Sequence, residues 1–139
     1  MEAEINFFNE DVNIELPEED KVKNWLLRVA EEEGQQAGAL NFIFCSDPYL
    51  LDINKRYLQH FYYTDVITFQ YHESGNPIEG DCFISADTVK TNAEAYQISF
   101  ERELYRVMVH GLLHLLGYND KSDSEFDLMK EKENYYLNR

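Results

Sequence analysis

The chain has 139 residues, 44% of them hydrophobic and 14% aromatic, enough for one sizeable core and too apolar for a disordered segment. Its net charge of −15 excludes long-range attraction of nucleic acid or anionic membrane by the surface as a whole, so a phosphate-bearing ligand needs a local basic patch or a bound cation. Two distant cysteines, Cys45 and Cys82, argue against a disulfide framework and suit a reducing cytoplasm, and no apolar run approaches the ~20 residues of a membrane span.

Residues 3–8 (AEINFF) are expected to form a first strand. Pro17 opens a helix whose stripe is Val22, Leu26, Val29 and Ala30, and Gly34 stops it. The run 39–45 (ALNFIFC) predicts a second strand. Ser46, Asp47 and Pro48 start a helix reaching about Leu58. TDVITFQY (64–71) and GDCFISA (80–86), on either side of the turn-rich stretch that begins HESGNP, predict an antiparallel hairpin. A short helix over about 87–96 follows. Ser99 caps the longest helix, with Glu101 and Glu103 in its first turn, where the helix dipole favours anions. Leu104, Val107, Met108, Leu112, Leu115 and Leu116 cover so much of its circumference that it must be largely buried, and Gly117 ends it. Ser122 with Glu125 fits a capping box for a last helix with a stripe of Phe126, Met129 and Leu137. The fold class expected is α+β, close to α/β: a mixed, mainly parallel four-stranded sheet with one antiparallel hairpin and helices packed on it, in a single domain spanning 1–139.

The stretch HGLLHLLGYND (110–120) carries the chemistry. His110 and His114 are four apart and share one helical face. Two imidazoles so placed reach one cation at the zinc–nitrogen distance of ~2.0–2.1 Å. Gly117 lets the chain turn back and brings Asp120 toward them as a third ligand, leaving a fourth position for water. The competing reading is a pair of core histidines bonded to backbone carbonyls. The spacing nearly reproduces the metzincin protease pattern H-E-x-x-H-x-x-G-x-x-H, but Gly111 stands where those proteases carry their general base.

HGLLHLLGY, preceded in order by TDVITF and GDCFIS, resembles the YbeY-type metal-dependent endoribonucleases, the rRNA maturation factors of bacteria. That family has the signatures H-G-x-L-H-L-x-G-Y-D-H, T-D-V-L-S-F and G-D-I-x-I-S. The likeness runs from about Ile53 to the end of the last helix, while the N-terminal third fits mainly by length and element order. It implies an α/β domain with a zincin-like metal-binding helix, hydrolysis of single-stranded RNA, maturation of the 3′ end of small-subunit ribosomal RNA, and ribosome quality control. It implies one zinc ion on His110, His114 and Asp120, the last standing where the family has a third histidine; a carboxylate there tolerates other divalent ions. Asp123 is a second, less favoured substitute.

Leu58 departs from the pattern, since the family carries an arginine after the tyrosine of its L-N-x-x-Y segment. Arg56, His60 and Arg106 are the candidates to bind phosphate instead. Arg106 is favoured because it lies one turn before His110, and an ion pair with Glu103 or another carboxylate is its alternative role. Asp65 and Asp81, at the starts of two strands, are candidate proton acceptors, though strand-end aspartates also serve turns; Asp65 joins Arg106 as the expected catalytic pair. Tyr57, Phe61, Tyr62 and Tyr63, beside Lys55 and Arg56, offer rings for base stacking, with core packing as the ordinary use of such rings.

The expected function is that of a cytoplasmic, zinc-dependent endoribonuclease acting on single-stranded and ribosomal RNA, without membrane attachment. Basic ribosomal proteins are the partner class that an acidic surface would attract. The alternatives are a metal-dependent peptidase, against which Gly111 counts, and a non-catalytic ribosome-associated factor with a structural metal.

Overall fold

Strands β1 (Glu4–Asn9), β2 (Ala37–Cys45), β3 (Val66–Gln70) and β4 (Ile78–Ser85) form one sheet in the order β1–β2–β4–β3. The structure is a computed structural model that describes residues 3–59, 64–73 and 75–138. β1, β2 and β4 run parallel, and β3 is antiparallel to β4. The mixed sheet with one antiparallel hairpin is therefore the one the sequence pattern predicts. Five helices pack against it: α1 (Glu19–Glu32), α2 (Asp47–Leu58), α3 (Ala86–Tyr96), α4 (Phe100–Leu115) and α5 (Asp123–Leu137).

Side-chain alternation sorts the sheet into two faces. Ile5, Leu40, Phe42, Phe44, Ile78, Cys82 and Ile84 enter the main core with residues of α1, α3, α4 and α5, whereas Ile67, Phe69 and Phe83 enter a smaller cluster under α2. α4 is the most enclosed helix. Leu104, Val107, Met108, Val109, Leu112 and Leu113 are 0–1% exposed, and full burial of such a side chain contributes about 1.5–3 kcal/mol. Two glycines let it lie close to the sheet. A Cβ at Gly111 would stand 3.1 Å from Cys82 Sγ, and one at Gly80 2.6 Å from the Phe69 carbonyl and 2.8 Å from Leu115 Cδ2. Position 111 thus faces the sheet.

Several ends follow the sequence closely. Ser46, Ser85, Ser99 and Ser122 each accept the amide hydrogen of the residue three further on, and Ser122 with Glu125 forms the full capping box. Gly117 has φ 111° and Gly34 φ 77°, the left-handed turns that follow α4 and α1. Other details differ. Pro17 does not open α1, which begins at Glu19 after Glu18 in a left-handed conformation with no side-chain cap. β2 and β4 begin two residues before their expected starts, because Ala37 pairs with Ile78 across a register shift. The buried face of α5 is Met129, Glu133 and Tyr136, while Phe126 is 49% exposed. A glutamate in a buried stripe is invisible to a search for apolar periodicity.

Candidate metal centre

His110 and His114 project from the middle and last turn of α4. Their Nε2 atoms lie 3.0 Å apart, and Asp120 Oδ2 is 3.3 Å from the first and 3.5 Å from the second. An ion ~2.0–2.1 Å from three tetrahedrally disposed ligands spaces them about 3.3–3.4 Å apart. The triangle fits such an ion. Gly117 makes the fit possible by reversing the chain so that Asp120 comes back over the helix end.

Protons decide what this triangle is for. His114 Nδ1 lies 3.0 Å from the Tyr118 carbonyl, which can only accept, so Nδ1 carries the hydrogen. His110 Nδ1 lies 2.5 Å from Glu133 Oε2 and donates to that carboxylate. In the neutral form of each ring Nε2 carries the lone pair, and the two Nε2 atoms face each other and a carboxylate oxygen. Burial, then the neighbouring His110, hold His114 below the ordinary imidazole value, which favours its neutral, ligating form. Two ring nitrogens and a carboxylate oxygen thus converge in an arrangement suited to a cation. Core histidines bonded to carbonyls would not need Asp120.

Behind His110 stands a buried charge network, of which the sequence suggested only the Arg106–Glu103 pair. Glu133 is 1% exposed and accepts from Arg106 Nη1 at 3.0 Å as well as from His110. Arg106 also grips both oxygens of Glu103, which is 0% exposed, at 2.7 and 2.8 Å, and reaches Asp65 Oδ2 at 3.4 Å. Burial pushes the Glu133 carboxyl up, but its bonds to His110 and the charges of Lys130 and Arg106 outweigh it and hold the group below the usual range. Burial also disfavours the Arg106 charge, yet the Glu103 bonds and the Glu103 and Glu133 charges raise its pKa further. The ion pair weighed as the alternative role of Arg106 is thus the one it makes, to three carboxylates at once. Its guanidinium is committed, and Lys130 Nζ approaches the same Glu133 oxygen at 3.7 Å.

The other sequence candidates fall in different places. Leu58 lines a cleft of about 280 Å³ beside His114, with Asn54, Thr64, Val66 and Thr68. The wall where the resemblance implies an arginine is therefore apolar and neutral. Arg56 is 69% exposed and pairs with Asp52 at 3.0 Å. Asp81 sits on the sheet face away from α4, where it accepts from Asn41 and the Tyr71 hydroxyl, so it is remote from the histidines. Tyr57 is 67% exposed and meets Phe69 edge-on, on the α2 side of the sheet. His60, Phe61, Tyr62 and Tyr63 lie outside the described residues. Asp123 begins α5 and is not part of the triangle. Both cysteines are free and buried. No helix among the described residues is long and apolar enough to cross a membrane.

A mixed sheet backing a buried helix, whose last turns offer two histidines and whose reverse turn offers a carboxylate, defines a class: α/β domains with a candidate three-residue cation site. A sequence profile of the endoribonuclease YbeY family matches residues 4–139. The chain is 48% identical over 133 residues to the endoribonuclease YbeY of Parabacteroides distasonis, covering 96% of this chain and 93% of that one. It is likewise 48% identical to that of Amoebophilus asiaticus, over 97% and 92% of the two chains. Among solved structures it resembles the solution structure of TM1509 from Thermotoga maritima, with TM-score 0.66, 26% identity, and 96% and 86% coverage. The chain belongs to the endoribonuclease YbeY family.

Proposed function

We propose that this protein is a metal-dependent endoribonuclease that cuts single-stranded RNA, with ribosomal RNA as its substrate class and the cytoplasm as its compartment. The single observation that carries the reading is the convergence of two imidazole Nε2 atoms and one Asp120 oxygen. The names of its relatives, endoribonucleases, support the choice of RNA. A divalent ion held by His110, His114 and Asp120, zinc by preference, would supply Lewis acidity toward water and the phosphodiester.

The chain's own residues do the rest. Glu133 keeps the Nδ1 hydrogen of His110 in place, which aims Nε2 inward. Arg106 holds Glu133 ionised and acts as a positioning residue. Asp65, tethered to Arg106 through Oδ2 and 26% exposed, is the candidate proton acceptor. Thr64, Thr68 and Asn54 line the adjoining cleft with neutral polar groups suited to a single strand. A peptidase reading loses its general base twice over, since position 111 lacks a side chain and also faces Cys82.

The test is incubation of the purified protein with single-stranded RNA and, separately, casein, each with and without chelator, beside His114→Ala. RNA cleavage lost with chelator and in the variant is the expected result. Casein cleavage, or RNA cleavage indifferent to both treatments, overturns the proposal.

A further inference from the structure

Glu33 caps the C-terminal end of α1, outside the cradle, and its side chain is 9% exposed. Its Oε1 accepts the Tyr118 hydroxyl at 2.5 Å, and its Oε2 accepts the Tyr136 hydroxyl and Lys132 Nζ, the latter at 3.2 Å. Lys132 also stands 5.6 Å over the Tyr118 ring. Two residues on, Gln35 Nε2 donates to the Leu116 carbonyl at 2.9 Å. The end of α1 therefore grips the α4–α5 turn at two points, Leu116 and Tyr118.

That turn feeds the cradle directly. The Tyr118 carbonyl receives the His114 Nδ1 hydrogen, and Asp120 lies two residues further along. Residues 118–120 belong to no helix or strand, so no backbone ladder fixes the reach of Asp120. Its position depends on the two ends of the segment. The Ser122 capping box secures the downstream end; at the upstream end the Tyr118 amide donates to the Leu113 carbonyl at 3.0 Å, and its hydroxyl donates to Glu33, which fixes the side-chain side of the turn. Tying helices together needs only apolar contact, and a sheltered carboxylate carries a desolvation cost. What the carboxylate adds is direction, because each oxygen is held by a different donor. Ligand sites tolerate displacements of only about 0.5 Å.

We propose that Glu33 is a positioning residue of the metal centre, acting through the Tyr118 hydroxyl to set both the His114 acceptor and the reach of Asp120. This rests on the metal reading above. Titration of the metal-free protein with Zn²⁺ alone tests it, beside thermal melts of the same samples. Tyr118→Phe should weaken zinc binding about 10–100-fold, the range for groups that support a ligand from behind. Tyr136→Phe removes a donor from the same carboxylate without touching the turn. It should lower the melting temperature comparably and leave zinc affinity near wild type. Glu33→Gln combined with Tyr118→Phe should bind zinc no more weakly than Tyr118→Phe alone, since both break one link. Should Tyr118→Phe not fold, Glu33→Gln carries the same comparison against Tyr136→Phe. A wild type that binds no divalent ion overturns the metal reading and this one with it. A wild type that binds, with Tyr118→Phe binding equally well or all variants weakened in proportion to their melting temperatures, overturns the positioning role alone.

Discussion

Between the Arg106 guanidinium and the His110 imidazole, Glu133 has each oxygen assigned to a different donor. Glu133→Gln keeps the shape and replaces one oxygen by an amide nitrogen, which must then point its hydrogens at another donor. His110 loses the acceptor that holds its tautomer. Zinc affinity should fall about 10–100-fold while the fold persists, as titration and circular dichroism would show. Unchanged zinc binding would mean that Glu133 serves only Arg106. The sequence exposed the ligands but not this support: two histidines four apart and a carboxylate after a glycine are a short local pattern, whereas Glu133 meets His110 from 23 residues away. The only available signal was a glutamate in register with Met129 and Tyr136, four and three residues to either side.

At the scale of elements, the site depends on how closely α4 lies on β3 and β4. The spacing makes a graded prediction. Gly111→Ala gains helix propensity of about 1 kcal/mol but crowds Cys82 Sγ at 3.1 Å, so a modest net loss is expected. Gly80→Ala drives a methyl against the Phe69 carbonyl and Leu115, at 2.6 and 2.8 Å, with backbone that cannot swing aside. Its loss should be larger, in the about 1–3 kcal/mol range of overpacked sites or above it. Urea midpoints of the two variants decide, and a Gly111→Ala protein weaker than Gly80→Ala would contradict this packing. The caps of α2, α4 and α5 were legible because a serine and its partner amide are three residues apart. The start of α1 was misplaced by two residues because proline suits turns as well as first helical turns.

At the scale of the whole molecule, charge sets the terms. The net charge is −15, and the guanidinium of Arg106 is already shared among three carboxylates. Acid should also loosen the assembly in a defined direction. Burial raises Glu33, but its bonds to Tyr118, Tyr136 and Lys132 prevail and hold it below its ordinary 4.5. A carboxyl lowered on folding contributes stability that is complete above its unfolded value and is lost as pH falls through the folded one. Melting temperature should therefore drop below about pH 4.5, and Glu33→Gln should flatten part of that fall. A Glu33→Gln curve parallel to wild type would show that the carboxylate is not what acid removes.

The sequence by itself determined the elements, the mixed sheet and the three residues of the candidate metal group. Those properties rest on interactions within a few residues, on alternation, and on a glycine turn that returns the chain to its own helix. The tertiary structure alone decided that Arg106 supports Glu133, that Asp81 faces away, and that Glu33 braces the turn. Those assignments depend on which distant side chains share a low-dielectric interior, where every buried charge must find a partner.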